Sequence, residues 1–462
     1  MRTANPTLKA KTFIGLRGMM SLEACVAATS WVLAAALTGC STPHADLGDV
    51  PADVEWRSGH SLGSSEPGVV LIPGTVTLED GLSEDEAVTL ALWNNAVFQE
   101  ALADLGLSRA ELVQAGMLPN PTLSMLFPVG AKPLELTAKY PLEAFWLRPR
   151  RLTVAKLDYD RTARRLVQGG LDLIRDVRLA CADHMLANER HVLSETSVKL
   201  SQGIAGQAEA RLRAGEASEL EVANARIDVL QAQEQLARTS QDARLTRERL
   251  RFLAGLGAGQ WNSAFQAAPI PLDFPLDLGV LRTNALAARP DLRAAELGLE
   301  AEGKRVGLAR AEVYALTGSI NAKDVGTDFL AGPGLDISIP IFNQNQGGIA
   351  QAKARFDKAA RHYVTVRDRI LFEVEEAHAR LAQALGSFEK WRKHILPPLE
   401  ESAMLAARSY GAGNVTYLFM LENDRKLSDA GLKAAEAAAE LRRARAELER
   451  AAGQRLTGDP AN

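Results

Sequence analysis

Two hydrophobic periods alternate along this chain, and each of them occurs twice. From Arg151 to Gly215 and from Ile349 to Gly413 run two uninterrupted polar and apolar stretches of helical period, 64 residues between landmarks in each. At 1.5 Å per residue each predicts a helix of roughly 95 Å. Short connections at Ala214–Ser218 and Gly411–Thr416 turn each into an antiparallel partner, over 218–255 and 416–453. Leu220, Ala223, Ile227 and Leu230 carry the 3-4-3 spacing of a coiled-coil seam. Ten of the 23 residues from Ala430 to Ala452 are alanine, which suits close helix packing.

The second period is two. Leu316, Gly318, Ile320 and Ala322 alternate with Thr317, Ser319, Asn321 and Lys323; Leu335, Ile337, Ile339 and Ile341 alternate with Asp336, Ser338 and Pro340. Nearer the N-terminus the same pattern gives Leu123, Met125 and Phe127, then Leu134, Leu136, Ala138, Tyr140 and Leu142 against Glu135, Thr137 and Lys139. Such strands have one apolar and one polar face, as the strands of a transmembrane β-barrel do. A pair of half-buried soluble hairpins has the same alternation. Four strands cannot close a barrel, since single-chain barrels start at about eight. A barrel therefore requires several copies.

Shorter helices, roughly 83–116 and 281–313, precede each strand pair, so the order of elements is itself repeated. At an offset of 198 residues Ala214-Gly215 matches Ala412-Gly413, and Ala254-Gly255 matches Ala452-Gly453. Tyr140-Pro141-Leu142 matches Ile339-Pro340-Ile341 at 199, Arg109-Ala110-Glu111-Leu112 matches Arg310-Ala311-Glu312-Val313 at 201, and Asn95-Ala96 aligns with Arg289-Pro290 at 194. The spread is one heptad, which a coiled coil absorbs without turning its apolar face. The predicted fold is mainly α with a small β part and a two-fold internal repeat. Its boundaries are 78–255 and 281–453 for the repeats, 256–280 for the linker between them and 454–462 for a short tail.

The N-terminus changes the setting of this fold. Arg2, Lys9, Lys11 and Arg17 make a basic start, and no charge lies between Glu23 and Asp46. That is the layout of a secretory leader, whose apolar part is shorter than the ~18 to 20 residues of a spanning helix. It ends in "ALTGCSTP", where Leu37-Thr38-Gly39-Cys40 resembles the lipobox of bacterial lipoproteins. That resemblance implies removal of residues 1–39, lipid on Cys40, and, with Ser41 following, sorting to the outer membrane. Residues 40–77, rich in Pro, Gly, Ser and Asp, read as a lipidated tether. Losing the leader takes the formal charge from −4 to −7, a balance that suggests no nucleic-acid surface. Cys181 is then the one remaining thiol, too few for a disulfide framework or zinc site.

Taken together, the repeat, the Leu118-Pro119-Asn120-Pro121 entry to the first strand pair, Ala288-Arg289-Pro290-Asp291-Leu292 and the glycine turns at Gly215 and Gly413 resemble the TolC-like outer-membrane factors of efflux pumps. "MLPNPTLSM" followed by "YPLEAFWLRPRRLTVAKLDYD" is most similar to the CzcC-like branch. The resemblance implies a homotrimer with four strands per chain in one shared transmembrane β-barrel. Long antiparallel coiled-coil helices would continue it as an α-barrel across the periplasm. It implies a passive duct without a cofactor or resident metal, working with a periplasmic adaptor protein and an inner-membrane transporter, usually of the resistance-nodulation-division type. It also implies contact with outer-membrane lipid, an adaptor contact at the Gly215 and Gly413 turns, and an entrance lined by Glu221, Asn224, Phe419 and Glu422. Phe419 and Asn224 depart from the most acidic form of that entrance, and Ser218-x-x-Glu221 is equally a capping box.

Catalytic readings find little to stand on. Glu375-x-x-His378 has the spacing of a di-iron helix motif, but those sites need two such motifs and two further carboxylates. Gly255-x-Gly257-x-Gly259 follows a helix rather than a strand, so it fails as a dinucleotide fingerprint. The chain reads as no enzyme. Beside the efflux duct stand two alternatives, the outer-membrane channel of a type I protein-secretion system and a periplasmic coiled-coil structural lipoprotein.

Overall fold

A computed structural model describes residues 49–456 apart from 65, 80, 130–132, 258–260, 262–264, 267–276, 326–327 and 412–413. Contacts divide the chain at Asp46–Leu47, and all described residues belong to the second unit. Cys40 and Gly413 therefore lie outside the described residues. In chain order the elements are α1 (Val50–Ser58), β1 (Leu82–Ser83), α2 (Glu84–Asn94), α3 (Ala96–Gly116), β2 (Thr122–Leu126), β3 (Glu135–Pro141), α4 (Ala144–Arg213) and α5 (Glu219–Leu253). There follow β4 (Phe265–Gln266), α6 (Leu278–Ala288), α7 (Pro290–Ala311), β5 (Leu316–Val325), β6 (Asp328–Ile337), α8 (Gln346–Glu389), a π-helical turn over Lys390–Ile395, α9 (Leu396–Gly411) and α10 (Tyr417–Ala452). No described helix is long and apolar enough to cross a membrane.

The helix of 70 residues, α4, reaches about 105 Å. It packs against α5 and α10 along one half and α3 and α7 along the other, so it is the axis of the chain. Its counterpart was expected to be uninterrupted as well, but a π turn separates α8 from α9. The reason stands in the sequence: Pro397 and Pro398 have no N–H, and their rings crowd the carbonyls one turn back. The helix widens instead, and the Leu396 N–H donates to the Trp391 carbonyl five residues earlier.

Each predicted shorter helix is broken once, at Asn95 and at Arg289, where the backbone is extended. Asn95 caps α3 by accepting from the Phe98 N–H at 3.0 Å. Arg289 precedes Pro290, which disfavours the helical region for the residue before it. Two buried clusters follow the repeats. One gathers Leu90, Phe98, Leu105, Ile174, Val177 and Leu250; the other gathers Leu281, Ile370, Val374, Leu381, Leu441 and Leu448.

Within the stretch expected as a tether, 40–77, the described residues from 49 on include a docked helix. Val50 and Val54, four apart on α1, are buried, and Val54 fits the space left by Gly170. The apolar pair gives this short helix a face to dock, which a solvated tether lacks. The inter-repeat segment is also anchored where it is described: β4 pairs in parallel with β1, and Trp261 and Phe265 stack edge-on against the buried His184. Burial, with Arg247 nearby, pushes His184 down to about 4, so it stays neutral there.

The four longer strands form one sheet in the order β2-β3-β5-β6, antiparallel throughout. Residues opposed across an antiparallel pair share a face. The register therefore gathers Leu123, Met125, Leu136, Ala138, Ile320, Ala322 and Leu335 on one side. Thr122, Ser124, Thr137, Lys139, Ser319, Asn321 and Asp336 share the other. On that polar side Glu135 meets Lys323 at 2.7 Å, and Thr137 Oγ1 meets Asn321 Oδ1 at 3.0 Å. Alternation predicted longer strands, through Phe127 and as far as Ile341. They end at Leu126 and Ile337 because the outer edges of β2 and β6 have no strand beside them in a single chain.

Candidate functional site

Two features of the molecule are built for more than packing, the two-faced sheet at one end and the helical hairpin ends at the other. At the first hairpin Gly215 takes φ +77°, a left-handed turn with open space around it. Ser218 then caps α5, its Oγ accepting from the Glu221 N–H at 3.2 Å. The Glu221 side chain does not complete the capping box. It accepts instead from Arg211 at 3.3 Å, across the turn on α4. Asn224, one turn further on, is exposed.

At the second hairpin Thr416 caps α10, and Phe419 is exposed. Glu422 pairs with Lys426 at 2.7 Å; the hydrogen bond from that ammonium holds the carboxyl below its usual range. Each candidate carboxylate thus meets a cation of its own hairpin, and among the described residues no bond links Glu221 to Glu422. Among the pairs that join the two hairpins is one the sequence did not single out, Arg425 on α10 with Asp228 on α5 at 3.4 Å; Arg190 on α4 with Glu436 on α10 at 2.9 Å is another. The helix positions of Arg425 and Asp228 gave no local signal, since the two residues are 197 apart.

The Arg425–Asp228 pair borders a groove of about 1090 Å³ between α4 and α5 on one side and the π turn, α9 and α10 on the other. Leu193, Ile204, Leu421 and Ala434 line it beside Glu189 and Asp424. Burial raises the Asp424 carboxyl above its ordinary value. Within the first hairpin the contact surface differs from the expected seam. Val222 and Ala225 pack on Ala205 and Ala208, whereas Leu220, Ala223, Ile227 and Leu230 are exposed. Small residues let the two helices come close on that side, and the larger stripe is left outside.

Between the two ends, a layer of buried ions ties segments remote in sequence. Arg289 is fully buried; it binds both carboxylate oxygens of Asp291, reaches Glu373 on α8 and donates to the Ala451 carbonyl at 3.5 Å. Arg450 joins Glu373 to Asp172 of α4, and Arg178 of α4 pairs with Glu449. Arg57 of α1 donates to the carbonyls of Ala288 and Gly453. Burial pushes the Glu373 carboxyl up, but Arg289, Arg450 and Arg369 outweigh it and hold the group below its ordinary value. Glu375, with Arg282 as its partner, lies on the same helix as His378 and serves the packing of α6 on α8. Among the described residues no group of three or more His, Cys, Asp or Glu side chains is arranged to hold a metal ion.

Comparison with known proteins agrees with this layout. The sequence model of the family described as Outer membrane efflux protein matches residues 87–256 and 281–454. The chain is 26% identical over 397 residues to the cobalt-zinc-cadmium resistance protein CzcC of Cupriavidus metallidurans, covering 81% of this chain and 90% of that protein. Among solved structures it resembles CusC, with a TM-score of 0.67 at 20% identity over 80% of this chain and 92% of the other. It also resembles the outer membrane protein VceC of Vibrio cholerae, at 0.67 and 18% over 80% and 96%. At these identities the structural likeness is one of fold.

Proposed function

The chain belongs to the outer membrane efflux protein family, and on that premise we propose that it is the outer-membrane exit duct of a tripartite efflux pump. The observation that carries this reading is the separation of faces in the β2-β3-β5-β6 sheet. An apolar face suits lipid, and a face of hydroxyl, amide and charged groups suits a water-filled lumen. Four strands fall short of the roughly eight that a barrel needs, and three copies supply enough. Behind the sheet, the helix of about 105 Å extends the duct into the periplasm. Transport through it is passive. An inner-membrane transporter, of the resistance-nodulation-division type, supplies the energy, and a periplasmic adaptor joins the two at the hairpin turns of Gly215 and Gly413.

The entrance is formed by Glu221, Asn224, Phe419 and Glu422. Arg211 and Lys426 stand beside the two carboxylates, so a ring made from them is a ring of ion pairs with reduced self-repulsion. The cargo consists of metal cations or other small molecules; the name of the Cupriavidus relative supports the first. Lipid on Cys40 adds an anchor to the one the strands provide. Fatty-acid labelling checks that assignment, and a Cys40→Ala variant that still incorporated label would refute it.

Purified from the outer membrane, the protein is expected to migrate as a heat-sensitive trimer and to conduct ions in a planar bilayer. Glu221→Gln with Glu422→Gln should change its cation preference. Deletion of the gene should sensitise cells to divalent metals or hydrophobic compounds. A monomer without channel activity overturns the reading.

A further inference from the structure

The two outer edges of the sheet carry backbone groups whose direction can be read from hydrogen bonds. Ser338 N–H donates to the Ala315 carbonyl at 3.2 Å, so the even residues of β6 bond to β5 and the odd ones point outward. Asp324 N–H donates to Leu134 at 3.0 Å and Leu142 N–H to Leu316 at 2.7 Å, so the even residues of β3 bond to β5. Its odd residues then bond to β2, and the odd residues of β2 point outward. The outer edges thus carry Leu123, Met125, Phe127 and Val129 on one side, and Leu335, Ile337, Ile339 and Ile341 on the other; in the single chain the Ile341 N–H donates to the Ile339 carbonyl at 2.9 Å, a turn that pairing with another strand opens. All eight are between 50% and 75% exposed.

The repeat supplies the register in which these edges fit. Tyr140-Pro141-Leu142 corresponds to Ile339-Pro340-Ile341. Ala138 faces Leu123 in the first hairpin, and Ile337 faces Leu316 in the second. Leu123 therefore corresponds to Leu316, and Met125 to Gly318. Inside one chain, the end of the first hairpin already joins the start of the second, with Tyr140 opposite Gly318 and Ala138 opposite Ile320. We propose that β6 of one copy joins β2 of the next in this same register, placing Leu123 opposite Ile341, Met125 opposite Ile339, Phe127 opposite Ile337 and Val129 opposite Leu335.

Three observations favour it. Every pair is apolar on the side that faces lipid. The strands lengthen to include Phe127, Ile339 and Ile341, which continue the alternation past the ends seen in a single chain. Pro121 and Pro333, which lie on the free edges and have no N–H to give, both fall outside the four pairs, so the seam lacks no donor. The inference rests on the trimeric duct reading and adds the contact that closes it.

Disulfide trapping in the outer membrane tests it. In this register Leu126 and Ser338 form a non-hydrogen-bonded pair, whose Cα separation of about 4.5 Å suits a disulfide. Leu126→Cys combined with Ser338→Cys should give oxidised trimer in a non-reducing gel. The same Leu126→Cys combined with Asp336→Cys or with Pro340→Cys, one step to either side, should give none, as should each single variant. Cross-linking in a shifted pair but not the first overturns the register while leaving the trimer standing. No cross-link in any pair, with heat-sensitive trimers still present in every variant, overturns the seam itself. Loss of trimer in the wild-type chain counts against the duct reading instead.

Discussion

The two repeats solve one structural problem with different chemistry. In each, a helix breaks just where the last turn of the returning hairpin passes behind it, and that turn ends in a glycine with positive φ. In the first repeat Asn95 donates to the Leu253 carbonyl at 3.0 Å. In the second, Arg289 reaches the Ala451 carbonyl, the counterpart of Leu253 at the 198-residue offset. The first joint is neutral and local. The second is ionic, and draws in Asp291, Glu373, Arg450 and, through them, α4 of the other repeat. The difference shows which joint holds the two halves together: the amide closes its own repeat, and the guanidinium sits at the crossing of both.

Replacing the two residues should separate these roles. Arg289→Ala takes the guanidinium from Asp291 and leaves Glu373 with Arg450 and Arg369 alone, and breaking a buried ion pair costs about 3 to 5 kcal/mol. Asn95→Ala removes a cap and one hydrogen bond, a loss of about 1 to 2 kcal/mol. Thermal unfolding followed by circular dichroism should rank them in that order; equal losses would dissolve the contrast. Acid should narrow the gap between them. Glu373 has a lowered value when folded, so its contribution is present above the ordinary glutamate value of 4.5 and is lost as pH falls below it through the folded value. The Asn95 joint has no group that titrates. The extra loss from Arg289→Ala should therefore shrink in acid, while that from Asn95→Ala stays constant.

Much of this was legible in the sequence, for identifiable reasons. Period-two alternation announced the sheet because each strand has one apolar and one polar face, and the register sets those faces on opposite sides; the alternation ran on through Phe127, Ile339 and Ile341, where the strands of a single chain have ended. The uninterrupted stretch from Arg151 to Gly215 anticipated most of α4, whereas its counterpart is split by the π turn. The π turn was missed although Pro397-Pro398 is plainly written, because apolar periodicity passes through a one-residue widening with little change. The seam stripe misled for a different reason. Leu220, Ile227 and Leu230 do make a 3-4-3 stripe, but Val222 and Ala225 make a smaller one on another face, and the helix partner chose the closer fit. Ion pairs such as Arg425–Asp228 join residues from different repeats, and no local pattern reports them. Arg289 stood out only through its motif; its complete burial needed the fold.

The glycines of the two joints reverse the ranking and so sharpen the comparison. Gly255 has φ +69° and Gly453 φ +75°, and a side chain in that region costs about 1 to 2 kcal/mol at either position. Space then separates them. A Cβ on Gly255 would lie 2.3 Å from the Asn94 carbonyl oxygen, which is backbone of α2 and cannot yield without moving the helix. A Cβ on Gly453 would meet Arg289 Cγ at 3.1 Å and its Cα at 3.3 Å, tight contacts that shifts of a few tenths of an ångström relieve. Gly255→Ala should therefore exceed the conformational penalty by a further kcal/mol or more, roughly the cost of overpacking, while Gly453→Ala stays near that penalty. Thermal midpoints of the two variants check this. If Gly453→Ala proved the worse, the Arg289 side chain would be as unyielding as backbone, and the ionic joint would be the more rigid of the two.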